Sequence, residues 1–200
     1  MSILAVTKGF GPDAIEAALA AGLMDIGENY LQEAQAKFAS VAWPPHPIRR
    51  HFIGHLQRNK ARRIAGVFDV VQSVDDLDAA AKLDEGARQS GKVLDVLLQV
   101  NVSSDDRAGI APHAATDFAR SLRAYEQLRV RGIMAVGPLD RGAAGAAFSA
   151  AAAAFAELRK ETKADIFSLG MSGDLEAAVA AGSTMVRLGT ALFGARPAKV

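Results

Sequence analysis

The chain contains no cysteine, which excludes a disulfide framework, a thiolate zinc site and a cysteine nucleophile, and fits a reducing cytoplasm. Basic and acidic residues nearly cancel, 23 against 22, and the net charge of +1 gives no field over the whole protein for drawing nucleic acid or an acidic membrane. Any recognition of an anion must therefore be local. Aromatic residues are scarce, at 6%, and the one basic cluster, Arg58, Lys60, Arg62 and Arg63, has no stacking platform beside it, so it reads as a solvated helix face. No apolar run is long enough to span a bilayer, and the N-terminus lacks a basic-then-apolar signal pattern. The expectation is a soluble cytoplasmic protein with neither a nucleic-acid nor a membrane partner.

What remains is 200 residues, half of them hydrophobic, enough to bury one sizeable core in a single domain. Short β-branched runs alternate with alanine-rich amphipathic stretches. The runs predict strands at Ile3–Thr7, Met24–Gly27, His51–Ile53, Phe68–Ser73, Val93–Val102, Leu128–Val136, Ile166–Leu169 and Thr184–Leu188. Helical patterns fall between them, at Pro12–Ala21, Tyr30–Ser40, Gln57–Ala65, Val74–Ser90, Pro112–Tyr125, Ala146–Lys160 and Asp174–Ala181. About eight strands in strict alternation is the count of a closed (β/α)₈ barrel, preferred here to a doubly wound open sheet. The Ala- and Gly-rich stretch 142–156 reads as an outer helix with a thin apolar stripe. Trp43-Pro44-Pro45-His46-Pro47 reads as a loop, because proline removes backbone donors.

In either architecture ligands bind at the carboxyl ends of the strands, and Lys8, Asn29, Asn101 and Ser172 fall at or just past such ends. Lys8 closes the first strand. A barrel makes its first and last strands neighbours, so Lys8 would face the loop carrying Gly189 and Thr190. The common phosphate site of such barrels, after strands seven and eight, falls on Ser172 and on Gly189–Thr190. An amine that can condense with a carbonyl, beside hydroxyls and N–H groups that can hold a phosphate, points to pyridoxal phosphate. Each residue also has an ordinary reading: Lys8 as a solvated strand-end lysine, Ser172 as the cap of the following helix, Arg187 as half of a structural ion pair.

Other chemistries fit less well. Gly170-Met171-Ser172-Gly173-Asp174 lacks the last glycine of a nucleophile elbow, and no histidine follows Ser172 in the chain. His51 and His55 have metal-like spacing, but His51 is predicted in a strand and no third ligand is clear, so no metal site is expected.

Five segments together resemble one known family: Val6-Thr7-Lys8; Gly27-Glu28-Asn29-Tyr30; His51-Phe52-Ile53-Gly54-His55-Leu56-Gln57 with Asn59-Lys60; Ser168-Leu169-Gly170-Met171-Ser172; and Gly182 through Thr190. They are similar in content and order to the pyridoxal phosphate homeostasis proteins, across about 3–196. The resemblance implies the fold type III barrel of the alanine racemase N-terminal domain and a vitamin B6 carrier that holds pyridoxal phosphate as a reversible Schiff base on Lys8. It implies phosphate contacts from Ser172, Gly189 and Thr190, a place for Arg187 near the pyridine nitrogen, Asn29 and His51 lining the pocket, and Met171 among the cofactor-binding residues. An arginine there disfavours a proton on the ring, leaving a weaker electron sink. No residue is assigned a catalytic role. The implied partners are pyridoxal phosphate and the apoenzymes that require it, with the carrier a monomer or weak dimer.

The chain departs from the family pattern in beginning almost on the first strand, where members usually carry a leading helix; loss of that helix would expose a barrel flank. Arg107-Ala108-Gly109 stands where lysine is common, and Thr7 where serine is. The alternative is an amino-acid racemase of the alanine racemase type, which needs a second acid/base group opposite Lys8. Only Tyr30 and Tyr125 could be that tyrosine, and neither is placed for it by the helix pattern. A carrier is expected to leave L-alanine unconverted in the presence of pyridoxal phosphate. Chiral chromatography that detects substantial D-alanine would select the racemase instead.

Overall fold

Strand-sized apolar segments separated by helices leave every strand parallel to its neighbours, and in the computed structural model they close into a barrel in the order β1 through β8. The structure describes residues 1–103, 107–138 and 140–196. The strands are β1 (Ser2–Val6), β2 (Asp25–Glu28), β3 (Arg49–Phe52), β4 (Val70–Val74), β5 (Leu94–Val100), β6 (Leu128–Ala135), β7 (Ile166–Ser168) and β8 (Met185–Leu188). Closure is made by β1 and β8, with Ser2 opposite Met185 and Leu4 opposite Arg187. The helices are α1 (Pro12–Ala20), α2 (Leu31–Ser40), α3 (Arg58–Val67), α4 (Leu77–Gln89), α5 (Ala115–Leu122), α6 (Ala144–Glu161), α7 (Leu175–Ala180) and α8 (Thr190–Phe193). This is the single-domain (β/α)₈ barrel that the alternation predicts. None of the helices in the described residues is long and apolar enough to cross a membrane.

Local chemistry sets the element ends. Pro12 opens α1, where its missing N–H costs nothing. The expected helix from Val74 instead begins at Leu77, because the Asp76 side chain accepts the Ala79 N–H at 2.8 Å and β4 runs on to Val74. The expected single helix from Pro112 divides into a 3₁₀ turn, Pro112–Ala114, and α5. The alanine-rich stretch forms α6 and buries Ala144, Ala147, Phe148, Ala151, Ala154, Phe155 and Leu158, one stripe at helical spacing. Phe155 of that stripe stacks on Phe167 of β7 at 4.8 Å. The proline-rich segment is a loop, pinned by the Trp43 Nε1–H on the Phe38 carbonyl at 3.0 Å.

The main core lies between strands and helices; a smaller one, Leu4, Val6, Leu97, Met134, Ile166 and Met185, fills part of the barrel interior. Ion pairs tie the amino ends of the strands, Arg49 to Asp25, Arg50 to Asp69, and Arg129 and Arg131 to Asp95. That end carries stability, while the opposite end is left for ligands.

One glycine is required by the closure. The β5–β6 register shifts between Val96 and Leu97, and Gly132, opposite Leu97, takes φ +156°. A Cβ there would lie 1.7 Å from the Ile166 carbonyl oxygen of β7. Gly132→Ala is expected to lower stability by about 2–4 kcal/mol through backbone strain and a displaced strand. A urea unfolding midpoint equal to that of the wild type would contradict this.

Candidate functional site

Lys8 follows β1 in a turn whose position is set from below and behind. The Phe10 N–H closes the turn on the Thr7 carbonyl at 3.1 Å. From α2, the Lys37 ammonium donates to the carbonyls of Thr7 (2.8 Å) and Phe10 (3.2 Å), while Glu33 accepts from the Gly9 N–H (2.6 Å) and from Lys37 (2.9 Å). Beneath them Glu28, fully buried at the end of β2, pairs with Lys37 and accepts the Thr7 hydroxyl at 2.6 Å. Its second oxygen, Oε2, has no hydrogen-bond partner among the described residues. Burial pushes the Glu28 carboxyl above the usual range, against the opposing pull of Lys37 and Thr7.

The Lys8 ammonium is half-buried, and its pKa is lowered, first by burial and then by the charges of Arg196 and Arg187, with Glu28 and Glu33 opposing. A larger share of Lys8 is therefore the free amine, the nucleophilic form, than of a solvated lysine. The strand-end reading of Lys8 as a simple surface residue does not describe this environment.

The facing wall comes from the last two strand ends. After β7, Gly170 turns the chain at φ +90°, where a Cβ would come within 2.6 Å of the Ala178 Cβ. The Met171 N–H is held by the Asp174 carboxylate at 2.6 Å. Asp174, not Ser172, is the N-cap residue of α7, and Ser172 stays exposed without an intramolecular hydrogen bond among the described residues. After β8, Gly189 precedes α8, whose first N–H groups have no acceptor within the helix.

Between the walls lies a cleft of 330 Å³ lined by Lys8, Met171, Ser172, Gly173, Arg187, Gly189, Thr190 and Arg196, with Val6 and Ile53 as its apolar part. Among the described residues three cations and no carboxylate line it, so it suits an anionic ligand. At its floor Arg187 is 5% exposed. It donates from Nη1 to the Ser168 carbonyl (2.7 Å) and hydroxyl (2.9 Å), and from Nη2 to the Ala135 carbonyl (2.8 Å). Among the described residues no carboxylate pairs with it, which sets aside the structural ion pair. Burial pulls its pKa down to about 10, with Asp174 opposing, so the guanidinium stays charged at neutral pH.

Six of the expected site residues, Lys8, Met171, Ser172, Arg187, Gly189 and Thr190, thus meet in one cleft. Asn29 and His51 are not among its lining. Alternation along β3 puts His51 and Ile53 on one face, and Ile53, nearer the strand's carboxyl end, is the one that reaches the cleft. His51 lies a layer deeper, between Asp25 and Gln72, at 2.9 Å from each. Asn29 lines a separate cleft of 170 Å³ with Tyr30, His55, Gln57 and Lys60. Tyr125 lies outside the barrel, its hydroxyl on the Leu77 carbonyl at 3.2 Å. Arg196, Ile53 and the Glu28–Lys37 pair were not anticipated; the i,i+4 spacing of Glu33 and Lys37 was the one visible sign. Among the described residues no group of three or more His, Asp or Glu side chains could hold a metal ion.

The chain matches the family described as alanine racemase, N-terminal domain, over residues 1–197. It is 44% identical to a pyridoxal phosphate homeostasis protein of Pseudomonas aeruginosa, over 98% of this chain and 85% of that one. The corresponding Escherichia coli K12 protein is 39% identical, with 98% and 86% covered. Among solved structures, PipY of Synechococcus elongatus with pyridoxal phosphate bound superposes with a TM-score of 0.86 at 36% identity, covering 97% of this chain and 92% of PipY. An alanine racemase of Clostridium difficile, 14% identical, shares the fold with a TM-score of 0.78 over 53% of its own length.

The buried pair behind Lys8 makes a definite prediction. Lys37→Met leaves the Glu28 charge uncompensated and is expected to cost about 3–5 kcal/mol at neutral pH. The deficit shrinks as pH falls, since a protonated Glu28 needs no cation. Unfolding curves across pH 5–8 would refute this if the loss were small or independent of pH.

Proposed function

For this chain, which belongs to the pyridoxal phosphate homeostasis proteins within the alanine racemase N-terminal domain family, we propose that it binds pyridoxal phosphate reversibly at Lys8 and thereby governs the cofactor's supply. When bound, pyridoxal phosphate supplies an aldehyde that condenses reversibly with a primary amine. The observation that carries the reading is the Lys8 amine, its pKa lowered, at the edge of a cleft whose charged lining among the described residues is cationic throughout. The residues present fit the cofactor: free hydroxyls and glycine backbone on one side, a nucleophilic amine on the other, and a fixed cation on the floor.

In this reading Ser172, Gly189 and Thr190 hold the phosphate, with Met171 shaping the loop and Arg196 adding charge at the rim. Arg187 serves the pyridine nitrogen. A buried cation that cannot accept a proton disfavours protonation of a neighbouring ring nitrogen, so the site is a poor electron sink. Asn29 and His51 act from outside direct contact with the cofactor.

Carrying is favoured over racemisation by the positions of the tyrosines. Neither Tyr30 nor Tyr125 lines the Lys8 cleft, so no tyrosine in the chain faces Lys8 as a second acid/base group. The recipients of the cofactor are apoenzymes that require it, and the setting is the cytoplasm, in keeping with a chain without cysteine. The carrier is a monomer or weak dimer, in keeping with a cleft to which this chain contributes ten lining residues.

Lys8→Ala is expected to abolish covalent attachment while keeping weaker, phosphate-dependent binding. Ser172→Ala with Thr190→Val is expected to weaken pyridoxal phosphate binding about tenfold or more, for two lost hydrogen bonds to a charged group. Equilibrium dialysis and mass spectrometry read both. Covalent attachment that survives Lys8→Ala would place the cofactor on another lysine and defeat the proposal.

A further inference from the structure

A continuous line of buried side chains crosses the barrel interior from the floor of the cleft to the opposite strands. Arg187 of β8 donates to the Ser168 hydroxyl of β7 at 2.9 Å. Ser168 donates to Gln72 Oε1 of β4 at 2.8 Å, although 96 residues separate them. Gln72 Nε2 meets His51 Nδ1 of β3 at 2.9 Å, and His51 Nε2 meets Asp25 of β2 at 2.9 Å. Asp25 is closed off at the base by Arg49. His51, Gln72 and Ser168 are each 0% exposed, so no solvent competes for these bonds.

The ends fix the direction of every link. A guanidinium only donates and a carboxylate only accepts. Asp25 therefore takes the Nε2–H of a neutral His51, whose Nδ1 accepts from the Gln72 amide N–H, which turns Gln72 Oε1 to accept the Ser168 hydroxyl. Burial holds the His51 pKa below its ordinary value, with Asp25 opposing, which keeps the ring neutral as this pattern needs. Burial pushes the Asp25 carboxyl up, but His51 and Arg49 outweigh it and hold it below the usual range, so it is ionised at neutral pH. Each oxygen in the line thus turns its negative end toward Arg187, and the aligned dipoles connect a buried cation to a distant carboxylate.

We propose that Asp25, His51, Gln72 and Ser168 act as one unit that fixes the orientation of Arg187 in the cleft floor, with Gln72 as the positioning residue on which the unit turns. Gln72 has this place because a side-chain amide both accepts from Ser168 and donates to His51. The consequence for the ligand rests on the pyridoxal phosphate reading above; the anchoring of Arg187 does not.

The test uses full-length ¹⁵N-labelled protein, first without cofactor. Wild-type Arg187 is expected to show separate, slowly exchanging Nη–H resonances, and His51 an Nε2-protonated ring. Gln72→Met, of similar volume, removes both amide bonds; it is expected to merge the Arg187 resonances and to weaken binding of added pyridoxal phosphate about tenfold. Gln72→Glu keeps the acceptor for Ser168 but gives His51 Nδ1 no donor. It is expected to leave Arg187 anchored and to convert His51 to an imidazolium between two carboxylates. Wild-type Arg187 resonances in a cooperatively folded Gln72→Met protein overturn the proposal, as they do in Ser168→Ala should Gln72→Met not fold. The cofactor reading fails separately, if wild-type protein takes up no pyridoxal phosphate at Lys8.

Discussion

A buried guanidinium with no carboxylate paired to it among the described residues constrains the whole carboxyl end of this barrel. Arg187 could not stay charged there on burial energetics alone, since removing a cation from water costs several kcal/mol even after the protein relaxes. Two main-chain carbonyls, from Ala135 and Ser168, and the Ser168 hydroxyl take three of its N–H bonds. Strands β6, β7 and β8 must therefore keep their relative positions for the site to exist. Among the described residues the cleft lining holds no full opposing charge, which suits it to an anionic ligand.

The barrel's closure brings that cation to the amine. Pairing of β1 with β8 puts Leu4 opposite Arg187, so the turn after β1 and the turn after β8 emerge side by side. The two turns are built differently. The one carrying Lys8 is clamped by Glu33 and Lys37 of α2 over a buried carboxylate, which fixes the backbone from which an amine of lowered pKa extends. The ones carrying Ser172 and Thr190 leave both side-chain hydroxyls without an intramolecular hydrogen bond among the described residues. A nucleophile on a fixed backbone facing open hydroxyls is an arrangement for capturing one end of a ligand covalently and the other by hydrogen bonds.

Most of this layout was legible in the sequence, because it depends on features close together in the chain. Alternating strand and helix patterns gave the barrel, and strand ends gave Lys8, Ser172, Gly189 and Thr190. Capping was less visible: Asp76 moves the start of α4, and its carboxylate can be assigned to a cap only once β4 is seen to continue to Val74. Contacts across the barrel were not legible at all. Nothing local connects Gln72 with Ser168, and Lys37 looks like any lysine on a helix until its turn faces Glu28. His51 shows how a motif can carry chemistry one layer away from where it is expected, since the period of a strand puts Ile53, not His51, at the cleft.

In the proposed arrangement one cleft takes both ends of pyridoxal phosphate, the aldehyde at Lys8 and the phosphate at the last two strand ends. A crystal structure of the protein grown with pyridoxal phosphate tests it most directly. The account predicts density continuous with Lys8 Nζ, a phosphate among Ser172, Gly189 and Thr190, and Arg187 toward the ring nitrogen. A cofactor seated instead in the cleft of Asn29, His55 and Lys60, or attached to another lysine, would contradict it.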